Sequence, residues 1–159
     1  MGYTSRFLTL TKGNGVINRI FHSYGKYEGD MEGRRNGALI SMENGKAVDF
    51  AIFNLQARGE MVVTHNDPVY VGMIVGLAPK AGDLQINVMK GKKLTNMRTQ
   101  GTDENVVLTP ERKMSIAEQL SILNTDEALE ITPKSCRLRK AILNPHDRKK
   151  SEKASGVVN

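Results

Sequence analysis

The sequence predicts an α+β fold: a β-rich, barrel- or sandwich-like domain with one or two short helices. Short apolar runs recur between Ala38 and Lys90, separated by turns containing Gly, Asn and Asp, which is the spacing of a multi-stranded β structure. Ser115-x-x-Glu118 stands immediately before apolar residues at helical spacing, a capping box opening a helix. The chain has 159 residues with 39% hydrophobic and 25% charged side chains, a composition that folds around one core without staples.

Taken in order, residues 3–12 (YTSRFLTLTK) end at Gly13 and read as a short helix with a glycine stop. Residues 15–24 (GVINRIFHSY) are β-branched and aromatic and read as a strand. The stretch 25–37 is rich in glycine and charge and poor in apolar residues, which marks a linker. Strands are expected at 38–42, 47–53, 61–64, 69–77 and 84–90. The first two are separated by Glu43-Asn44-Gly45, where Asn-Gly favours a tight hairpin. Val48, Phe50 and Ile52 alternate toward one face, and so do Leu84, Ile86 and Val88. A bend, with room for one helical turn, is expected at 54–60.

Behind the capping box, Ile116, Leu120 and Leu123 fall on one helical face. Strands 128–131 and 135–140 should follow. In the second, Cys136 and Leu138 point inward and Arg137 and Arg139 outward. Asn144-Pro145 can open a last short helix, Asn as cap and Pro at the first helical position. After about Lys150 the chain has too little apolar content to hold a tail in place.

The net charge of +6 is segregated. Residues 84–101 carry four basic side chains and no acid, 102–133 carry two basic and seven acidic, and 134–150 carry seven basic and one acidic. Two basic blocks flanking an acidic one suit an anionic partner, most simply a nucleic-acid backbone. A solvated surface with a basic tail would give the same pattern.

Several chemistries are excluded. There is no phosphate-binding G-x-x-x-x-G-K-[ST] loop, and Gly13-x-Gly15 lacks both a third glycine and a following helix. His22, His65 and His146 lack metal-ligand spacing, and one cysteine cannot build a structural zinc site. Cys136 reads as core packing and not as a nucleophile. His65-Asn66-Asp67-Pro68 reads as a turn before a strand. No catalytic, cofactor or metal site is expected. The single cysteine and the lack of an 18-residue apolar run or a signal pattern at Met1 lead us to expect a cytoplasmic protein, with no membrane partner. Four Phe, four Tyr and no Trp leave few rings for a track of stacked bases, so any RNA would be held by phosphate, shape and polar contacts.

Longer stretches carry a family resemblance. GYTSRFLTLTKGNG (2–15) followed by Phe21-x-x-Tyr24 resembles the last helix and strand of the ferredoxin-like fifth domain of elongation factor G-like GTPases. Together with GRRNGALIS (33–41), FAIFNLQARGE (50–60), VYVGMIVG (69–76), DLQINVMKGKKLTNMR (83–98), GTDE (101–104), ITPKSCRLRK (131–140) and DRKK (147–150), it resembles the carboxy-terminal part of the TypA/BipA family of ribosome-binding translational GTPases. The likeness runs from Gly2 to about Lys150.

The resemblance implies a helix-and-strand remnant (1–24), a linker (25–32), a ribosome- and RNA-contacting domain (33–150) and a disordered tail (151–159). It implies that the GTPase domain, with its GTP and Mg, lies outside this chain. It also implies that the loop 90–101 approaches large-subunit ribosomal RNA and the acceptor end of an A-site tRNA. Lys90, Lys92, Lys93 and Arg98 would neutralise phosphates there, and Thr95, Asn96 and Thr99 would hydrogen-bond bases or 2′-hydroxyls. A second line of RNA contacts would comprise Arg137, Arg139, Lys140, Arg148, Lys149 and Lys150, with Arg34 and Arg35 touching RNA or pinning the linker.

Two rivals stand beside this docking function: a binder of ribosomal RNA in large-subunit assembly intermediates, and a regulatory module contacting its own GTPase domains through the acidic stretch. Strand 15–24, without its sheet, would fray or self-associate.

Overall fold

A computed structural model describes residues 3–27, 36–91 and 107–154. Its α+β architecture centres on four short strands, β1 (Ala38–Ser41), β3 (Glu60–Met61), β5 (Ile74–Leu77) and β6 (Leu84–Ile86), in the order β3-β5-β1-β6. β1 runs antiparallel to β5 and parallel to β6. A second ribbon pairs β2 (Gly45–Lys46) with β4 (Pro68–Val69), and a third is the hairpin β7 (Glu127–Ile131) with β8 (Cys136–Lys140).

Every residue of β1 and β5 is buried, the mark of strands covered on both faces. Strand alternation divides them between two cores. Leu39 and Val75 join Ile52, Met61, Ile86 and Val88 on the side of helix α2 (Asp49–Gln56). Ala38, Ile40 and Ile74 join Leu138, with Met114, Ile122, Leu123 and Leu129 packed around them, on the hairpin side. The centre is thus a layered sandwich, and no closed barrel forms among the described residues. No described helix is long and apolar enough to cross a membrane.

Local signals that carry their own partner are realised. Helix α1 (Tyr3–Leu10) ends with the Gly13 amide donating to the Leu8 carbonyl at 2.7 Å. Lys12 takes the left-handed position (φ 50°) and Gly13 follows at φ 82°. Helix α3 (Ile116–Ser121) is capped by Ser115, whose Oγ accepts from the Glu118 amide at 3.2 Å. Helix α4 (Pro145–Ala154) starts as expected, with Asn144 Oδ1 accepting from the His146 amide at 2.9 Å.

Other expectations are corrected. Residues 14–27 form no strand, because no strand of the described chain is there to pair with them. Residues 47–53 are not a strand, for α2 begins at Asp49 with Val48 as its extended cap residue. Val48, Ala51, Ile52 and Leu55 form a helical stripe, and Phe53 is left half-exposed. Asn44-Gly45 makes no hairpin, since β1 and β2 lie in different sheets. The expected strand 69–77 is broken at Gly72, whose φ of 85° only glycine adopts freely. A Cβ there would lie 2.8 Å from Leu143 Cα. Leu84 is 42% exposed, unlike Ile86 and Val88 behind it. The domain has three short helices and not one or two, and α4 carries the chain in order to Ala154, beyond the expected tail boundary.

Candidate nucleic-acid interface

The basic loop is rooted on α2. On its departing side the Val48 amide donates to the Val88 carbonyl at 2.9 Å, next to the start of the helix. On its returning side Gln56, the last residue of α2, grips Thr109 twice: Nε2 donates to the carbonyl at 2.6 Å, and Oε1 accepts from the amide at 3.1 Å. Leu108 packs on the larger core. The flanks of the loop are therefore tied to opposite ends of an eight-residue helix. Lys90 stands exposed at the departing root. Lys92, Lys93, Thr95, Asn96, Arg98 and Thr99, like Arg34 and Arg35, lie outside the described residues.

The second basic group is divided by strand parity. Lys140 follows Cys136 and Leu138 onto the inner face of β8 and is 1% exposed. Its Nζ sits 2.5 Å from Asp83 Oδ2, 2.6 Å from Asp126 Oδ2 and 3.0 Å from Glu127 Oε1. Lys140 is therefore corrected from an RNA contact to a structural cation: a phosphate could reach its ammonium only by displacing three carboxylates. Burial works against its charged form, but hydrogen bonds to Asp126 and Asp83 and the charge of Glu127 outweigh it and raise its pKa. Asp83 also accepts the Ala38 amide at 2.7 Å, so the cluster fastens β8 to the start of β1.

Arg137 and Arg139 lie on the opposite parity, half-buried. Arg137 Nη1 reaches Glu130 Oε1 at 3.4 Å across the hairpin, and Tyr70 donates its hydroxyl to Glu130 Oε2 at 2.5 Å. Burial, with the hydrogen bond to Glu130 and its negative charge, pushes the Tyr70 pKa up to about 12. Arg139 Nη1 donates to the carbonyls of Lys140 and Ala141, and Arg148 Nη1 to those of Ile142 and Leu143. Two arginines thus clamp the connection between β8 and α4. Lys149 and Lys150 are exposed on α4; among the described residues neither they nor Lys90 meets a carboxylate.

The acidic stretch is only partly turned inward: Glu127 is buried and Asp126 is exposed. Its described carboxylates Glu111, Glu118, Asp126, Glu127 and Glu130 each lie against a cation of this chain: Lys113, Arg112, Lys140 twice and Arg137. Reading the sequence missed these pairings, because all but the Glu111–Lys113 pair stand 6 to 14 positions apart and meet only in the folded chain. The inward parity of Lys140 was the one signal that a buried cation needed carboxylates nearby. Among the described residues no group of three or more His, Cys, Asp or Glu is placed to hold a metal ion.

Comparison with known proteins points the same way along the chain. Residues 36–145 match the model of the TypA/BipA C-terminal domain. Relatives called large ribosomal subunit assembly factor BipA include that of Buchnera aphidicola subsp. Schizaphis graminum, 47% identical over 154 residues, or 96% of this chain and 25% of the relative. That of Salmonella typhimurium is 44% identical over 154 residues, again 96% and 25%. That of Escherichia coli K12 is 43% identical over 155 residues, 97% of this chain and 26% of the relative. The chain thus spans about a quarter of the length of these relatives.

Proposed function

The chain belongs to the TypA/BipA C-terminal domain family, and from that premise we propose that it is the RNA-docking part of a ribosome-associated cytoplasmic protein. It engages large-subunit ribosomal RNA through the loop 90–101 and through the outer side of β8 and α4. It contributes placement, not a catalytic step.

The observation that carries this reading is the asymmetry of pairing. The described carboxylates of the acidic stretch are paired within the chain, while Lys90 at the loop root and Lys149 and Lys150 on α4 stay exposed and meet no acid among the described residues. Exposed ammonium groups can neutralise phosphates and release counterions at little desolvation cost. In the loop, Lys92, Lys93 and Arg98 would do the same, and Thr95, Asn96 and Thr99 would read polar groups, including those of an A-site tRNA acceptor end.

The relatives' name, large ribosomal subunit assembly factor, supports the large subunit as target and favours a subunit under assembly as the setting. The regulatory reading through the acidic stretch loses its support, since those carboxylates already have partners.

The test is co-sedimentation of the chain with large ribosomal subunits over a salt series, beside the triple change Lys92→Ala, Lys93→Ala, Arg98→Ala. Binding should weaken steeply with salt, and the triple change should flatten the log–log slope by about three. Binding indifferent to salt would overturn the reading.

A further inference from the structure

A shallow groove of about 540 Å³ opens between the chain after β1, the turn after β4 and the start of α4. That is within the range of roughly 300–1,000 Å³ seen for small-molecule sites. Resting on the docking reading and deepening it, we propose that this groove receives one unstacked nucleotide of the bound RNA.

The groove's chemistry selects the occupant. Its walls include the apolar side chains of Met42, Val71 and Leu143, a surface that suits the face of a base. Two amides border it, and their orientation is fixed by the backbone. Asn44 Oδ1 accepts the Val71 amide at 2.8 Å, and Asn144 Oδ1 accepts the His146 amide at 2.9 Å. With both oxygens engaged, each side chain has its NH₂ left to offer a ligand, so the rim supplies donors. Base edges, ribose oxygens and phosphates are rich in acceptors.

Two rings complete the site. Tyr70 has its hydroxyl committed to Glu130, leaving its ring as the contact surface, and His146 is exposed at the mouth. Two rings fit one base and not a stacked track. The charge outside is complementary to a nucleotide. Arg148, Lys149 and Lys150 follow directly on α4, and Arg139 clamps the adjoining connection. Against them stand Glu43 and Asp147 on the bordering segments.

Fluorescence anisotropy with labelled hexa-adenylate, and with an oligomer of the same length carrying abasic sites, tests the proposal on the whole chain. Met42→Glu puts a carboxylate on a half-exposed groove position, and His146→Ala removes an exposed ring. Lys134→Gln, at the far end of the β7–β8 hairpin, lowers the charge by the same one unit as Met42→Glu. Wild type and Lys134→Gln should bind hexa-adenylate about tenfold more tightly than the abasic oligomer. Met42→Glu should erase that preference, and His146→Ala should reduce it severalfold. Equal affinity of wild type for the two oligomers, or a preference untouched in both groove variants, overturns the groove proposal while RNA docking through the backbone stands. Binding of neither oligomer overturns the groove proposal, and the salt series with large subunits then decides the docking reading by itself.

Discussion

Lys140 is the residue on which the hairpin side of the fold depends. A buried ammonium without partners would shed its proton or exclude itself from the core. Here Asp83, Asp126 and Glu127 hold it charged. Replacing only the cation leaves three carboxylates crowded together. Lys140→Met should therefore cost about 3 kcal/mol at neutral pH, read by urea unfolding; a loss under about 0.5 kcal/mol would refute the assignment. The pH dependence follows from the raised pKa. The ion cluster's contribution is fully present below the ordinary value of 10.5 and is lost as pH rises through the higher folded value. Tyr70, raised to about 12, acts with the same sign: its contribution is present below the ordinary 10.0 and lost as pH rises toward 12. Melting temperatures through the alkaline range should fall in the wild type, and less in Lys140→Met, which keeps only the Tyr70 part.

At the scale of elements, residues 14–27 and α2 show opposite errors of the same propensity. Both stretches are rich in residues that favour strands, yet neither forms one. β-propensity expresses the fit of a side chain to a half-buried pleated surface, so it has force only where a neighbouring strand exists. Residues 14–27 have none, and Ile20 and Tyr24 are 93% and 95% exposed. In α2 the stripe at 48, 51, 52 and 55 faces a ready-made sheet, and the helix buries it. Trypsin should cut after Arg19 and Lys26 before it cuts after Arg137 or Arg139 within β8, as mass spectrometry of timed digests would read. An intact stretch 3–27 in dilute solution, after β8 has been cut, would show that something covers it. Pairing with a second copy is the natural protection for so exposed a segment, and would appear as protection that grows with protein concentration.

At the scale of the whole molecule, pairing divides the described charges. Asp126, Glu127 and Glu130 are held in pairs around the hairpin, while Lys90, Lys149 and Lys150 remain exposed. The net charge of +6 is thus felt outside mainly as positive groups, which favours polyanions over proteins. The double change Lys149→Gln, Lys150→Gln should reduce the salt slope of large-subunit binding by about two. It should leave stability within about 0.5 kcal/mol, since neither exposed side chain meets a carboxylate among the described residues. An unchanged slope with weaker binding would mean that α4 supports the interface without touching phosphate.

The sequence by itself determined what is settled within a few residues. The stop of α1 near Gly13, the Ser115 cap of α3 and the Asn144-Pro145 start of α4 need only neighbours along the chain, and each appears where the residues place it. It also determined the β-rich class, the hairpin β7–β8 and the segregation of charge. Only the tertiary structure decided which cations remain available. Lys140 and Lys150 are the same residue type in the same basic block, but one closes a ring of three carboxylates from two segments and the other is exposed. The groove was equally hidden, because Asn44 is oriented by the Val71 amide, 27 positions away, and its walls come together only when the segments after β1 and β4 meet the start of α4. Burial and the direction of a hydrogen bond are properties of the packed chain, and local residue order does not contain them.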